Sequence, residues 1–279
     1  MSSITVVFPV KNEVTNLNRS LPLIIEIGPI IIVDSGSGDD GTKKLALEFG
    51  AEWIHFQWNG KFPKKRNWLL KNYNFTTDWV LFLDADEFVT KEFIKEVKNI
   101  IHDTKEVGFW LNYKNYFMGS KLLYGDLFKK LALFRVGAGE YEKIDEDHWN
   151  HLDMEVHEHP VLKGTVGDIS TPIEHHDLRG LRSYIAKHNE YSSWEAVRCQ
   201  HLLNGEKAAF SKLTNRQKKK YRNLSKWWLA PSYFFYCYFL KKCFLDGSKG
   251  FHFALMKAIY FYNIRIKILE IQRVSSVDS

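Results

Sequence analysis

The 279-residue chain has only three cysteines, Cys199, Cys237 and Cys243, and they form neither a CxxC pair nor an even disulfide framework. That excludes a disulfide-stapled module and points to a reducing compartment. No basic n-region precedes Ile4-Thr5-Val6-Val7-Phe8, so export is not expected. The longest charge-free apolar stretch runs from Trp227 to Leu240 and stops at Lys241-Lys242. It is shorter than the roughly 20 residues a bilayer span needs. Internal repeats are absent, as are the HExxH and Cys/His spacings of zinc sites and the GxSxG elbow of serine hydrolases. Hydrophobic residues at 45% and charged residues at 26% exclude wholesale disorder, and a chain of this length can bury a sizeable core.

What is present is unevenly distributed. Residues 207–279 carry 15 basic and 3 acidic side chains, whereas residues 1–206 carry 24 and 30. A basic tail on an acidic body suits a polyanionic partner. The tail is also rich in rings, with Trp227-Trp228, Tyr233-Phe234-Phe235-Tyr236, Tyr238-Phe239 and Tyr260-Phe261-Tyr262. Rings among Lys and Arg suit an anionic membrane surface. A helical hairpin packed on the body with a solvated basic face fits the same residues. Nucleic acid is the weaker partner, because no RNP-like or zinc-finger pattern accompanies the charge.

The first hundred residues alternate strand and helix signals. Apolar runs at Ile4–Val10, Ile30–Val33 and Trp79–Leu83 read as strands buried on both faces, and Trp53–Phe56 as a shorter one. Helices are expected from Asn12 to about Ile27, Thr42 to Phe49, 64–73 and Phe93–Ile101. This order implies an α/β fold with a mostly parallel sheet and helices on both faces. From 106 to 180 short aromatic-rich pieces follow, and 180–204 reads as a helix. The expected organisation is 1–105 and 106–204 as two halves of one α/β domain, and 205–279 as a helical, basic, membrane-associating extension.

Open α/β sheets bind ligands at the carboxyl ends of their strands. The residues to read are therefore Pro9–Glu13, Asp34–Gly41 and Asp84–Glu87. Gly36-Ser37-Gly38-Asp39-Asp40-Gly41 matches GxGxxG, but it follows the second strand and carries two carboxylates where a pyrophosphate should lie. A flexible turn with helix-capping acids is the better reading. Asp34 ends a buried strand and can accept from a base or ribose. Asp84-Ala85-Asp86 places two carboxylates where they can serve a ribose hydroxyl and a hard divalent cation together. Lys64-Lys65-Arg66 puts positive charge at a helix start, against the macrodipole, a conflict that a nearby anion removes.

These pieces resemble family 2 glycosyltransferases of the GT-A fold. The resemblance rests on Val7-Phe8-Pro9-Val10-Lys11-Asn12-Glu13, Ile32-Val33-Asp34-Ser35-Gly36-Ser37-Gly38-Asp39, Lys65-Arg66-Asn67 and Leu81-Phe82-Leu83-Asp84-Ala85-Asp86-Glu87. The second half looks like bacterial lipopolysaccharide-core glucosyltransferases, through Glu155-Val156-His157-Glu158, Gly164 to Gly167, Ile173-Glu174-His175-His176 and Lys187-His188-Asn189-Glu190-Tyr191. It implies a UDP-sugar donor, a glycan or lipid-linked acceptor, transfer with inversion, Mn²⁺ or Mg²⁺, and work at the inner face of the cytoplasmic membrane. Pro9, Glu13 and Asp34 would line the nucleoside pocket, with Asn12 and Ser35 counted among the substrate-binding residues. Arg66, with Lys65, would approach the ribose or diphosphate. Asp84 would meet the ribose or the metal, Asp86 would hold the metal, and His175 would complete its shell. The base is Glu158 or Glu155, with Glu158 preferred because His157-Glu158 is the core of the subgroup pattern. A nucleotide-sugar-binding protein without catalysis, and a basic nucleic-acid or membrane binder, are the rival readings.

Overall fold

The computed structural model describes residues 3–125, 128–144, 149, 152, 153, 155, 158–204, 210, 211 and 213–277. They fall into two compact units, residues 1–116 with 127–178, and residues 117–126 with 179–279.

The first unit is an α/β domain with the GT-A arrangement implied by the resemblance. Its elements are β1 (Ile4–Val10), α1 (Val14–Ile24), β2 (Ile30–Asp34), α2 (Thr42–Glu48), β3 (Glu52–His55), α3 (Lys65–Asn72), β4 (Trp79–Phe82), β5 (Glu87–Phe88) and α4 (Lys91–His102). They continue with β6 (Gly108–Phe117), β8 (Lys129–Arg135), β9 (Gly139–Tyr141), β10 (Pro160–Leu162) and β11 (Val166–His175), while the short β7 (Ser120–Lys121) belongs to the second unit. Eight strands of a nine-stranded sheet follow in the order β3-β2-β1-β4-β8-β6-β11-β5. β1 to β4 run parallel, β8 is antiparallel to both β4 and β6, and β11 runs parallel to β6.

Strand side chains alternate between two cores, as a period of two dictates. Val6, Phe8, Ile30, Ile32, Trp79 and Leu81 face one side, where Leu17, Leu21 and Ile24 of α1 and Phe93 and Val97 of α4 cover them. Val7, Ile31, Val33, Val80 and Phe82 face the other, against Leu69 of α3 and Tyr141. Covering on both faces explains why these strands are almost wholly apolar.

α1 begins two residues later than its periodicity predicts. Asn12 takes a left-handed φ of 55°, which asparagine tolerates better than most side chains. The Ser37 hydroxyl accepts from its amide (2.8 Å), and its Oδ1 accepts from the Gly38 amide (2.8 Å). The chain thus breaks at the strand tip before the helix starts. α4 is longer than expected, because the Thr90 side chain caps it by accepting from the Phe93 amide.

The second unit is helical. It holds α5 (Gly180–Asn204), helices at Asn215–Asn223 and Leu229–Phe235, a π-turn at Tyr236–Leu240, a 3-10 turn at Cys243–Asp246, and a long helix at Gly247–Val277. Ala196, Cys199, Tyr221, Leu224, Ile264 and Ile268 form one core, and Phe117, Leu122, Cys237, Cys243, Phe253 and Ala254 another. Among the described residues, no helix is long and apolar enough to cross a membrane.

Candidate active site

The parallel strands deliver their carboxyl ends to one rim. At the tip of β2 the buried Asp34 accepts from the Gly36 amide (2.9 Å) and from the amide and hydroxyl of Ser37 (2.9 and 2.5 Å). The GxGxxG stretch is therefore folded around its own aspartate. Asp40 bonds the amide and hydroxyl of Thr42 at the start of α2 (3.0 and 2.7 Å), as the capping reading expects. Pro9 lies in register with Val33 at the tip of β1. Glu13 accepts from Asn16 (2.8 Å), and its own amide donates to the Thr42 hydroxyl.

Lys64, Lys65 and Arg66 are all buried, so this is not a solvated helix start. Lys65 donates to the Val10 carbonyl (3.0 Å) and the Ser35 hydroxyl (2.7 Å) and pairs with Asp153 (3.3 Å). Burial pushes its ammonium below the usual value, against the pull of Asp153. It ties the tips of β1 and β2 to the loop carrying Asp153, and its three donors are engaged within the protein. The anion that resolves the dipole conflict is supplied by the chain itself. Glu155 accepts from the amides of Arg66 and Asn67 (2.9 Å each), at the N-terminus of α3. Burial raises the Glu155 carboxyl, while Arg66 and the two amides oppose the rise. Glu158 accepts from Lys64 (2.6 Å). Both glutamates, with Lys64, Trp58 and Phe62, line one small cavity. Val156 and His157 lie outside the described residues.

Arg66 connects this corner to the Asp84 rim. Its guanidinium donates to the Glu155 carbonyl and to Asp84 Oδ1 (2.6 Å), and its Cζ lies 5.5 Å from the centroid of the Tyr141 ring. Its Nε is buried with no hydrogen-bond partner among the described residues.

Asp84 holds two cations. Oδ1 takes Arg66, and Oδ2 takes Lys130 (2.5 Å). Burial would raise this carboxyl, but Lys130 and Arg66 outweigh it and hold it well below the ordinary range. Lys130 also donates to Glu87 Oε1, while Glu87 Oε2 accepts from the Tyr113 hydroxyl (3.2 Å) and the Asp84 amide (3.1 Å). Glu87 is fully buried, which raises its carboxyl, although Lys130 pulls the other way.

Asp86 is buried two residues on, and strand register brings a histidine beside it. β5 pairs antiparallel with the end of β11, placing Glu87 opposite His175. The Asp86 carbonyl accepts from the His176 amide (2.9 Å), and its Oδ2 lies 3.7 Å from His175 Nε2. His175 thus sits beside the second carboxylate of the motif. The neighbouring His176 instead stacks on Tyr116, with centroids 4.7 Å apart.

Whether these residues suit a divalent cation can be tested on their chemistry. Among the described residues, no cluster of three or more His, Cys, Asp or Glu side chains gathers to hold one. Mg²⁺ and Mn²⁺ do not require such a cluster, since they often take one or two protein ligands together with substrate phosphates and water. One carboxylate and one imidazole, convergent at the strand edge, fit that pattern.

The site therefore brings together Asp84, Asp86, His175 and Arg66, with Glu155 joined to Arg66 and Glu158 adjoining through Lys64. Asp34, Ser35 and Lys65 form a second cluster at the tips of β1 and β2. Sequence reasoning missed Lys130 and undervalued Lys64 and Glu87. Lys130 carries no local signal: the structure brings it to the site because β8 pairs Leu133 with Leu81 in antiparallel register, and three further steps set Lys130 against Asp84.

Residues 5–157 match the family model described as "Glycosyl transferase family 2". A lipopolysaccharide core biosynthesis glycosyltransferase, LpsC of Rhizobium meliloti (strain 1021), is 26% identical over 268 residues, covering 93% of this chain and 89% of the relative. An uncharacterized glycosyltransferase of Rickettsia felis is 24% identical over 287 residues, covering 98% and 93%. Among solved structures, a mannosyltransferase of Pyrobaculum calidifontis in complex with GDP-Man and Mn²⁺ aligns with a TM-score of 0.46 at 14% identity, over 95% of this chain and 86% of the other.

Proposed function

The chain belongs to glycosyl transferase family 2, and we propose that it moves a hexose, glucose in the first instance, from a UDP-sugar to a lipid-linked glycan with inversion. The observation that carries this reading is the Asp84–Asp86 turn after β4, where Arg66 pairs with Asp84 and His175 lies beside Asp86. The acceptor class is supported by the name of the Rhizobium meliloti relative, which assigns that protein to lipopolysaccharide core biosynthesis.

In the proposed reaction the acceptor hydroxyl oxygen bonds to the anomeric carbon as the bond from that carbon to the diphosphate breaks. Glu158 takes the hydroxyl proton and UDP leaves. Arg66 is the cation proposed to face the donor's ribose or diphosphate; its Nε–H has no hydrogen-bond partner among the described residues, and a guanidinium is always charged. Asp34, with Pro9, Asn12, Glu13 and Ser35, borders the nucleoside, and Asp84 accepts from a donor hydroxyl. Asp86 and His175 would hold Mn²⁺ or Mg²⁺, which supplies neutralisation of charge on the departing diphosphate. A thermal-shift screen of UDP-, GDP- and dTDP-sugars with and without Mn²⁺ tests the donor class. At a hundred times Kd, a bound donor contributes about 2.7 kcal/mol, a rise of about 5–10 °C. The UDP-sugars should produce it and the others should not. A rise with the other two classes alone would overturn the donor assignment.

The second unit is proposed to rest on an anionic membrane face. Along Lys226–Leu245, Trp227 is 73% and Leu240 74% exposed, with Phe235, Phe239 and Leu245 more than half exposed. Lys226, Lys241 and Lys242 accompany them. Rings and leucines can enter the headgroup boundary while each lysine contributes about 1 kcal/mol near anionic lipid. The protein should therefore co-sediment with phosphatidylglycerol vesicles but not with purely zwitterionic ones. Phe239→Glu with Leu240→Glu should release it without lowering its melting temperature. Retention of the double variant on the vesicles would remove this segment from the contact.

A further inference from the structure

Lys130 stands at the centre of the site, yet neither its position in the sequence motifs nor the proposed transfer gives it a task. Its ammonium touches Asp84 Oδ2 and Glu87 Oε1 together. It reaches them from β8 past the rings of Tyr113 and Phe128, 5.4 and 5.9 Å from their centroids. Two oxygens bonded to one nitrogen lie no more than about 6 Å apart. Without the ammonium, Asp84 and Glu87 would present two carboxylates at close to the span over which one hard cation takes its ligands. The other oxygen of each carboxylate is already engaged, by Arg66 for Asp84 and by Tyr113 with a backbone amide for Glu87. The ammonium therefore fills the one place where these two groups could jointly grip an ion.

We propose that Lys130 is a built-in cation that keeps the Asp84–Glu87 pair closed to divalent metal. The metal is thereby confined to Asp86 and His175, and Asp84 is kept for a hydroxyl of the donor. This rests on the metal-assisted transfer proposed above. It gives the two aspartates of the motif separate tasks. Asp84, neutralised by Lys130 and Arg66, orients a neutral group. Asp86, beside an imidazole, takes the ion that leaves with the diphosphate. A metal held by Asp84, Glu87 and Asp86 together would bind more tightly and would not depart with product. Lys130 is in this sense a positioning residue that acts through Asp84.

The test is a manganese titration followed by the electron paramagnetic resonance of free Mn²⁺, without nucleotide and then with UDP. Without nucleotide, Lys130→Met should bind Mn²⁺ at least about tenfold more tightly than the parent protein, equivalent to about 1.4 kcal/mol. Lys130→Arg should remain at the parent value, and Asp84→Asn in the Lys130→Met background should restore it. A merely structural lysine would leave manganese affinity unmoved. Should Lys130→Met fail to fold, Lys130→Gln, one atom shorter but still a hydrogen-bond donor without charge, is read by the same criterion. A folded variant with unchanged or weaker manganese affinity, while the parent still binds Mn²⁺ with UDP, overturns this inference alone. Absence of binding in every form, with UDP present, overturns the metal reading and this inference with it.

Discussion

Asp86→Ala is expected to lower sugar transfer about a thousandfold or more, about 4 kcal/mol of transition-state stabilisation, in a protein that stays folded. The size follows from where charge develops. The departing diphosphate gains negative charge as its bond to the sugar breaks, and Asp86 is the carboxylate proposed to hold the neutralising ion with His175, 3.7 Å away. The fold should survive because the backbone carbonyl of Asp86, which accepts from the amide of His176 just after β11, persists in alanine. Far-ultraviolet circular dichroism and the melting temperature should match the parent, while the extra stabilisation that Mn²⁺ adds to UDP binding disappears. Undiminished turnover would remove Asp86 from the reaction. His175→Ala should show the same pattern with a smaller loss, since one ligand and the diphosphate remain.

Residues 1–105 were legible as an alternation of strands and helices because their signals are local. Ile30–Val33 and Trp79–Leu83 are apolar without interruption, and Ile4–Val10 is broken only by Thr5; strands covered on both faces produce that pattern. The rule that ligands meet strand tips then located Asp34, Asp84 and Asp86 without further information. The stretch from 106 to 180 read only as short pieces, although it contains two ten-residue strands, β6 and β11. β6 carries Asn112, Lys114 and Asn115 where apolar residues would have marked a strand. β11 carries Gly167 and Pro172, and its pairing shifts register between Ile169 and Ile173. Its partners are also distant in sequence, and no local pattern encodes that β11 lies between β6 and β5.

The candidate site divides along the same line. Side chains at strand tips were visible, whereas the groups that neutralise them were not. The burial of Lys64 and Arg66 depends on Glu158 and Glu155, some ninety residues away. Read locally, three consecutive basic residues at a helix start look solvated, and the sequence argument could only note that an anion was missing there. The structure supplies it from inside the chain. Glu87 was read as the tail of the aspartate motif, because a carboxylate following two others gives no hint that Tyr113 and Lys130 enclose it. A buried charge is defined by its partners, and these partners sit on strands whose order the sequence does not reveal.

Glu158→Gln should lower kcat about a hundredfold to ten-thousandfold, the usual worth of a general base, with little change in donor KM or in the thermal shift produced by UDP and Mn²⁺. Glu155→Gln should do the opposite. Each Glu155 oxygen accepts a backbone amide at 2.9 Å, and turning one into an NH₂ group sets donor against donor in a buried place. The expected cost is about 1–3 kcal/mol of stability, with turnover per folded molecule close to that of the parent. The assignment follows from what each carboxylate already does. Glu155 closes the N-terminus of α3 and so holds Arg66 and Asn67 in place, and accepting a proton on either oxygen would break one of those bonds at every turnover. Glu158 is bonded by a side chain, the Lys64 ammonium on Oε1, which can fix the direction of the carboxylate without making helix α3 depend on its charge. If kcat falls for Glu155→Gln and not for Glu158→Gln, the proton goes to the residue that caps the helix. The anion at the start of α3 would then be part of the chemistry and not only of the scaffold.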